Sequence, residues 1–320
     1  MLLDEYAALC WPDVSKGTLR RLIRDGLITV EGQGVQPGVR LHARQLILLE
    51  VELDELAVKR IAAHKMKIDV LYQDDDLLAV HKPAGIPVEP SRWGEHPTHL
   101  SGAMLAWARE NMREDGLLEV RPRALHRLDL GTSGVILFAL NLDAERYYRQ
   151  QFAEHKVEKI YHALVLGEVR DAGVIDFPLE QARRDGSRMQ VANKGGKASL
   201  TEYEPLKRFR GYSLIEARPK TGRTHQIRVH MAAMGYPLAV DPLYGGRERM
   251  MLSELKSGYR PKPGRPERPL IDRLTLHSRE IRVTSPSGEK IVVQADYPKD
   301  LRILLSKMEK FRRANPSRPY

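Results

Sequence analysis

Cysteine is almost absent: Cys10 is the only one in 320 residues. No internal disulfide and no cysteine-clustered zinc site can form, and a reducing compartment fits. Long hydrophobic runs are missing too. The longest, Val135 to Leu140, has about six residues, against the roughly 20 needed to span a bilayer. The amino terminus, Met-Leu-Leu-Asp-Glu-Tyr, is acidic where a secretory signal is basic, and its apolar stretch is too short for one. A cytoplasmic protein is therefore expected. Lys82 and Gly85 lie in a Pro/Gly-punctuated stretch, but no Gly-x-x-x-x-Gly-Lys-Ser/Thr occurs anywhere, which excludes an ATPase of the phosphate-loop kind. Metal spacing is also wanting, because Pro97 separates His96 from His99, and His225 and His230 are five apart and face differently. No metal is expected.

Negative charge is the scarcer sign. Fifty-two Lys and Arg against forty-two Asp and Glu leave a formal charge of +10, which favours a polyanionic partner. RNA, DNA and anionic lipid all satisfy that condition. No basic helix carries large apolar residues opposite its charges, so the membrane surface is the weakest of the three. With 42% hydrophobic and 29% charged residues, the chain can bury a large core, and its length points to one large domain plus a smaller one.

Residues 15 to 26 carry a short helix signature: Ser15 or Thr18 can cap it, Leu19, Leu22 and Ile23 form the buried stripe, and Gly26 ends it. Arg20, Arg21 and Arg24 fall outside that stripe, as contacts for a polyanion or as a plain solvated face. Leu27 to Val30, a turn at 31 to 34 and Leu46 to Val51 read as short strands. A first domain at 1–56, a linker at 57–69, a main domain at 70–311 and a basic tail at 312–320 follow from these signals. Residues 70 to 90 alternate a strand, an acidic turn, a strand and a loop, and Ser101 to Met112 reads as a helix.

The run Val135 to Leu140 suits a strand buried on both faces. A tight turn precedes it, where Gly131 and Gly134 can take backbone angles closed to other residues and Thr132 and Ser133 can bond the local backbone. Asp129 sits at the lip of that turn, after His126 and Arg127. A carboxylate beside so apolar a strand is costly unless something pairs with it. It does chemistry, or it caps the turn.

Beyond the strand, Asn141 or Asp143 can cap a helix with Tyr147, Gln151 and His155 on one stripe and Tyr148 and Phe152 on the next. Residues 156 to 169 form a strand apolar on both faces. A hairpin region around Arg183 and Arg184 leads to strands near Ser199 to Leu206 and Ser213 to Ala217. Thr224 caps a helix whose Ile227, Met231 and Met234 share an apolar face and which Gly235 stops. Residues 247 to 270, rich in Arg, Lys, Pro and Gly, cannot form a helix or central strand and read as an inserted basic loop. Strands at Leu274 to Ser278 and Ile291 to Ala295 and a helix near 299 to 311 close the chain.

Leu-His-Arg-Leu-Asp-Leu-Gly-Thr-Ser-Gly, residues 125 to 134, resembles the catalytic motif of the RluA-type pseudouridine synthases: His-Arg-Leu-Asp, two variable residues, then Thr-Ser-Gly. Other blocks resemble that family in the same order. They are Asp-Asp followed by Lys82-Pro-Ala-Gly85, Lys159-x-Tyr161-x-Ala-Leu-Val-x-Gly, and Thr-Gly-Arg-Thr-His-Gln-Ile-Arg from Thr221 to Arg228. Gly235-x-Pro237 and Asp241-x-Leu-Tyr-Gly245 follow, with Val240 where many relatives carry glycine. Residues 13 to 52 are similar to the S4 RNA-binding domain, with Ala-Arg-Gln at 43 to 45 where that domain usually has Gly-Asp.

The resemblance implies an α+β fold, a mixed, largely antiparallel sheet flanked by helices, preceded by a small S4-like α/β module. It implies conversion of uridine in RNA to pseudouridine, with Asp129 as the sugar-attacking carboxylate, Arg228 as its charge partner, and Tyr161 against the base. RNA contacts would fall to His126, Arg127, Thr132, Lys82, Arg223, His225 and Gln226, and to Arg20, Arg21 and Arg24 in the first domain. No cofactor or metal is needed. The expected partner is RNA, ribosomal in preference to transfer RNA, with no membrane or DNA, and a monomer is expected. A catalytically silent RNA-binding or ribosome-assembly protein of the same fold, and an N-glycoside hydrolase that releases the base, are the competing readings.

Overall fold

The computed structural model describes residues 1–11, 14, 16–50, 66–90, 98–112, 120–182, 185–186, 188–261 and 264–314. Two units form, Met1–His64 and Lys65–Tyr320. The first holds helices α1 (Leu3–Cys10) and α2 (Lys16–Arg24) and strands β1 (Ile28–Val30), β2 (Gln33–Gly34) and β3 (Ile47–Leu49), in the sheet order β2-β1-β3. Leu19, Leu22 and Ile23 turn inward, as their spacing requires, onto Leu3, Ala7, Ile28 and Val30. Gly26 ends α2 in the left-handed region, φ 73°, and Ser15 lies outside the described residues. Helix α1 has no counterpart in the sequence reading, since eight residues with two buried apolar side chains make too short a pattern. Its buried Asp4 accepts a hydrogen bond from Nε of Arg20 at 2.7 Å. Arg20 is thereby committed within the unit, while Arg21 and Arg24 are exposed. Arg44 takes φ 69°, a conformation glycine adopts at lower cost.

Of the expected linker, residues 57–65 lie outside the described residues. Met66 and Ile68 pack against the core of the larger unit. That unit is built on strands β4 (Val70–Gln73), β5 (Leu77–Lys82), β6 (Arg123–Ala124), β7 (Ser133–Ala139), β8 (Glu158–Leu166), β9 (Gly173–Ile175), β10 (Leu179–Gln181), β11 (Met189–Val191), β12 (Thr201–Phe209), β13 (Tyr212–Pro219), β14 (Leu276–Thr284) and β15 (Lys290–Gln294). Strands β10 and β11 form a separate hairpin. The others make a ten-stranded sheet, β4-β5-β7-β14-β8-β13-β12-β9, with β15 beside β14 and β6 beside β7. Every pairing is antiparallel except β7 with β14. This is the mixed, largely antiparallel sheet anticipated from the resemblance.

All seven residues of β7 are buried. Ile136 and Phe138 face one core with Leu78, Val80 and Ala163, while Val135 and Leu137 face the other with Leu77, Ala79 and Tyr148. The parallel junction aligns Ser133 with His277 and Gly134 with Ser278. A Cβ on Gly134 would lie 2.1 Å from the carbonyl oxygen of Ser278, and its φ is 117°, so only glycine fits. Gly131 serves differently from expectation: its φ is not positive, and the absent Cβ makes room for Leu274, whose Cγ would be 2.8 Å away. Ser133 likewise bonds Nδ1 of His277 at 3.0 Å instead of the local backbone.

Helices α3 (Leu100–Asn111), α4 (Leu142–Ala153), α5 (Gln226–Ala233), α6 (Leu252–Leu255) and α7 (Lys299–Phe311) complete the unit. Asn141 caps α4, accepting from the Ala144 N–H at 2.8 Å. Two expectations for α5 fail. His225, not Thr224, is its N-cap, with no side-chain cap bond. Met234 is exposed, because α5 is buried around most of its circumference and Met234 lies past its last turn. The basic stretch at 247–270 is not all loop either: Leu255 of α6 packs with Met250, Ile271 and Leu304 of α7, which gives four apolar-anchored residues a turn of helix. Residues 96–97, 183–184 and 315–320 of the earlier expectations lie outside the described residues. No helix among the described residues is long and apolar enough to cross a membrane.

Successive strand residues face opposite ways, so His81 and His162 point to the sheet face away from Val80 and Tyr161. There they meet His277 and Tyr297, with His81 to His277 ring centroids 5.7 Å apart and His277 to Tyr297 5.5 Å apart. Nε2 of His277 donates to the Ala295 carbonyl at 3.1 Å, so Nδ1 accepts from Ser133. Burial pulls His162 and His277 down to about 4 from 6.5, and both are neutral in the fold. The unfolded chain then binds more protons between those limits, and stability falls as pH drops from 6.5 toward 4. The expected loss at pH 5 is roughly 2 kcal/mol per histidine. Urea unfolding at pH 7.5 and pH 5 measures it, and equal stabilities would contradict the assignment.

Candidate active site

Asp129 stands on a four-residue turn closed by the Thr132 N–H donating to its carbonyl at 3.0 Å. The chain leaves that turn as β7, whose first residues pair with His277 and Ser278 of β14. On the far side of β14, Ser278 is the register partner of Tyr161 in β8. Two strand pairings therefore bring Tyr161 beside the turn, and α5 delivers Arg228 from the residues after β13. A cavity of about 540 Å³ opens where they meet, with Asp129, Tyr161 and Arg228 in its wall. That volume suits a small ligand or a single extruded nucleotide.

Arg228 is 4% exposed. Its Nη1 donates to Oδ2 of Asp129 at 2.9 Å, while Nε and Nη2 donate to Oδ2 and Oδ1 of Asp241 at 2.8 and 2.9 Å. The two-pronged geometry thus belongs to Asp241, and Asp129 receives a single N–H. Asp241 is fully buried and also accepts from the N–H groups of Leu243 and Tyr244 at 3.0 and 3.2 Å. Burial works against the charge of Arg228, but its hydrogen bonds to Asp241 and the charge of Asp129 outweigh it and hold the guanidinium protonated. The Tyr244 ring flanks the same guanidinium, 5.0 Å from its carbon. One immobile cation is shared by two carboxylates. The hydrogen bond from Arg228 goes to Oδ2 of Asp129, and Nε2 of His225 lies 3.9 Å from Oδ1.

Tyr161 is 9% exposed. Burial first, and then the charge of Asp129, push its hydroxyl well above the ordinary range, so it offers a protonated phenol and a flat ring. His126 accepts the Leu137 N–H on Nε2 at 3.1 Å and stacks on Phe152 at 5.2 Å. Burial pulls it down to about 3, and it is a neutral wall. Arg127, exposed, and Arg223, whose Nε donates to the Ala198 carbonyl at 3.1 Å, stand at the same cavity.

Other expected residues do less there. Gln226 lines the cavity, but its amide is saturated: Oε1 accepts from Thr221 and from the Arg223 N–H, and Nε2 donates to Leu200 and Thr201. It fixes the loop before α5. Thr132, 1% exposed, also lines the cavity. Lys82 does not. Its buried ammonium donates to the carbonyls of Pro83, Ile86 and Leu130 at 2.9, 2.7 and 3.3 Å, and burial pulls it down to about 7. Lys82 ties the loop after β5 to the turn of Asp129. Arg20, Arg21 and Arg24 belong to the other unit.

Three participants carried no assigned role in the sequence reading. Lys159 lines the cavity two residues before Tyr161, on the same strand face, and donates to the Thr221 carbonyl at 3.1 Å. Burial pulls it down to about 8. Asp241 and Tyr244 lie in a recognised block, and the signal for Asp241 was arithmetic: an arginine on the buried side of a helix needs more than one partly exposed carboxylate. Among the described residues, no three His, Cys, Asp or Glu side chains converge as a metal site requires.

The sequence family described as RNA pseudouridylate synthase matches residues 76–233. An Aquifex aeolicus protein named "Uncharacterized RNA pseudouridine synthase" is 38% identical over 263 residues, 80% of this chain and 80% of that one. "Ribosomal large subunit pseudouridine synthase D" of Pseudomonas aeruginosa is 32% identical over 318 residues, 98% of this chain and 93% of that one. Among solved structures, "Human RNA Pseudouridylate Synthase Domain Containing 4" superimposes with a TM-score of 0.57 at 22% identity, over 75% of this chain and 93% of that chain, a likeness of fold. Family match, near full-length relatives and a common sheet agree, and the chain belongs to the RluA-type RNA pseudouridine synthases.

Proposed function

We propose that the enzyme isomerises specific uridines of large-subunit ribosomal RNA and that Asp129 is the carboxylate that attacks the sugar. The observation that carries the assignment is a carboxylate in a nucleotide-sized cavity, with Oδ2 bonded to a locked guanidinium and Oδ1 left without a hydrogen bond from it. In the reaction the bond from C1′ to N1 breaks and one from C1′ to C5 forms, while C5 loses a proton and N1 gains one. Nothing is oxidised or reduced. Asp129 attacks C1′, Arg228 keeps it ionised and aimed, and Tyr161 stacks on the detached base with its phenol at hand for proton transfer. Arg127, Arg223 and Lys159 place cations around the opening, where they suit the phosphates of an extruded nucleotide. The substrate class draws support from relatives in Pseudomonas aeruginosa and Xanthomonas campestris that are named for the ribosomal large subunit.

Incubation with unmodified large-subunit ribosomal RNA tritiated at C5 of uridine tests this reading. Tritium release with no free uracil is the expected result. Free uracil would make the protein a glycoside hydrolase, and binding without either product would make it a silent binder.

The first unit is proposed as an S4-like RNA arm, on the support of its helix pair, three-stranded sheet and exposed arginines. Since Arg20 is held by Asp4, two cations remain. Replacing Arg21 and Arg24 with alanine should flatten the dependence of log affinity on log salt by roughly 1.5 to 2. Filter binding across a salt series measures it, and an unchanged slope would remove this helix from the RNA interface.

A further inference from the structure

His225 occupies a left-handed backbone position, φ 54° and ψ 20°, directly before α5. A side chain is held there at a cost that surrounding contacts must offset, and such positions cluster at functional sites. The conformation sets the imidazole between two groups. Nδ1 lies 2.9 Å from the hydroxyl of Tyr244, and Nε2 lies 3.9 Å from Oδ1 of Asp129.

The hydrogen bonds around Tyr244 favour one tautomer of the ring. The Met189 N–H donates to the Tyr244 oxygen at 2.8 Å, so that oxygen is already an acceptor. Among the described residues the phenolic proton has no partner other than Nδ1 of His225, and it is used when Nδ1 is the bare nitrogen of the ring. The ring proton is left on Nε2, facing the carboxylate oxygen that Arg228 leaves open. Burial, the largest influence on His225, pulls it below its ordinary range despite Asp129, which keeps the ring neutral at physiological pH.

We infer that the Tyr244 hydroxyl fixes His225 as its Nε2–H tautomer, so that this N–H steers Oδ1 of Asp129 while Arg228 holds Oδ2. The 3.9 Å separation closes by a small rotation of Asp129, in keeping with catalytic hydrogen bonds that tighten only once substrate is bound. With the opposite tautomer a lone pair would face the carboxylate and repel it. His225 and Tyr244 are positioning residues, and the inference rests on the reading of Asp129 as the attacking group. The hairpin of β10 and β11 gains a function by the same chain of contacts, because Met189 on β11 supplies the bond that turns the phenol toward His225.

Tyr244→Phe tests this cleanly, since it keeps the ring against Arg228 and removes only the hydroxyl. In the full chain acting on a C5-tritiated transcript of large-subunit ribosomal RNA, the variant should lose about tenfold in kcat with KM unchanged. The acid limb of its rate profile should move to higher pH. His225→Asn tolerates the left-handed backbone but cannot reach Asp129, and should fall further. His225→Gln, whose amide N–H reaches the place of Nε2–H, should recover part of that loss. Nitrogen-15 NMR of the histidine rings reads the tautomer without any turnover: Nε2–H in the wild type, a mixture in Tyr244→Phe. A wild-type ring protonated on Nδ1, or a Tyr244→Phe enzyme with wild-type kcat and pH profile, would overturn the inference. Activity surviving in Asp129→Asn would instead remove the underlying reading of the site, so the two failures are distinguishable.

Discussion

Asp129→Asn should abolish pseudouridine formation, with a loss of about four orders of magnitude or more, and leave folding and RNA affinity nearly intact. Asparagine has the same shape and keeps a carbonyl oxygen for Nη1 of Arg228, but it has no charge with which to attack C1′. The neighbourhood tolerates the exchange because Arg228 is anchored independently by the two oxygens of Asp241. Asp129 is itself 18% exposed, so little buried charge is left stranded. Single-turnover tritium release beside filter binding separates chemistry from affinity. Comparable turnover by the variant would remove Asp129 from the mechanism.

Arg228→Ala should act on the fold and the rate together. It strips the cation from two carboxylates, one fully buried, and breaking a buried pair costs about 3 to 5 kcal/mol. The carboxylates respond by taking up protons or drawing in water, and either disables an attacking group. Arg228→Lys should recover only part of the activity, because a single ammonium cannot span the three contacts to Asp129 and Asp241. Asp241→Asn supplies the control: Arg228 loses half of its anchor while Asp129 keeps its contact, so activity should fall less than in Arg228→Ala. Urea unfolding and single-turnover rates measured on the same preparations decide it. A stable, active Arg228→Ala enzyme would contradict the shared-cation geometry.

Much of this was legible in the residues, for identifiable reasons. Strand β7 was plain because Val135 to Leu140 has no polar interruption, and α2 because three apolar residues repeat at helical spacing. The contact of Arg228 with Asp129 was implied by the resemblance of the Thr221 to Arg228 block, while the residues alone showed only that Asp129, beside so apolar a strand, needed some partner. What escaped depends on contacts distant in sequence. Gln226 and Lys82 look like ligand-binding groups as residue types, yet both are saturated, by near neighbours (Thr221 and Arg223, Pro83 and Ile86) and by Leu200, Thr201 and Leu130, which the fold brings in. Thr224 has the chemistry of a helix cap, but the left-handed turn at His225 moved the helix start past it. The role of Tyr244 is invisible without β11, since the Met189 N–H comes from a hairpin 55 residues earlier.

The most direct measurement is carbodiimide-stop mapping of large-subunit ribosomal RNA from a strain lacking this enzyme, complemented with the wild-type chain or with Asp129→Asn. Stops at specific uridines should be absent from the deletion strain, return with the wild-type chain and stay absent with Asp129→Asn. Stops restored by both chains, or by neither, would contradict Asp129-dependent isomerisation of ribosomal uridines.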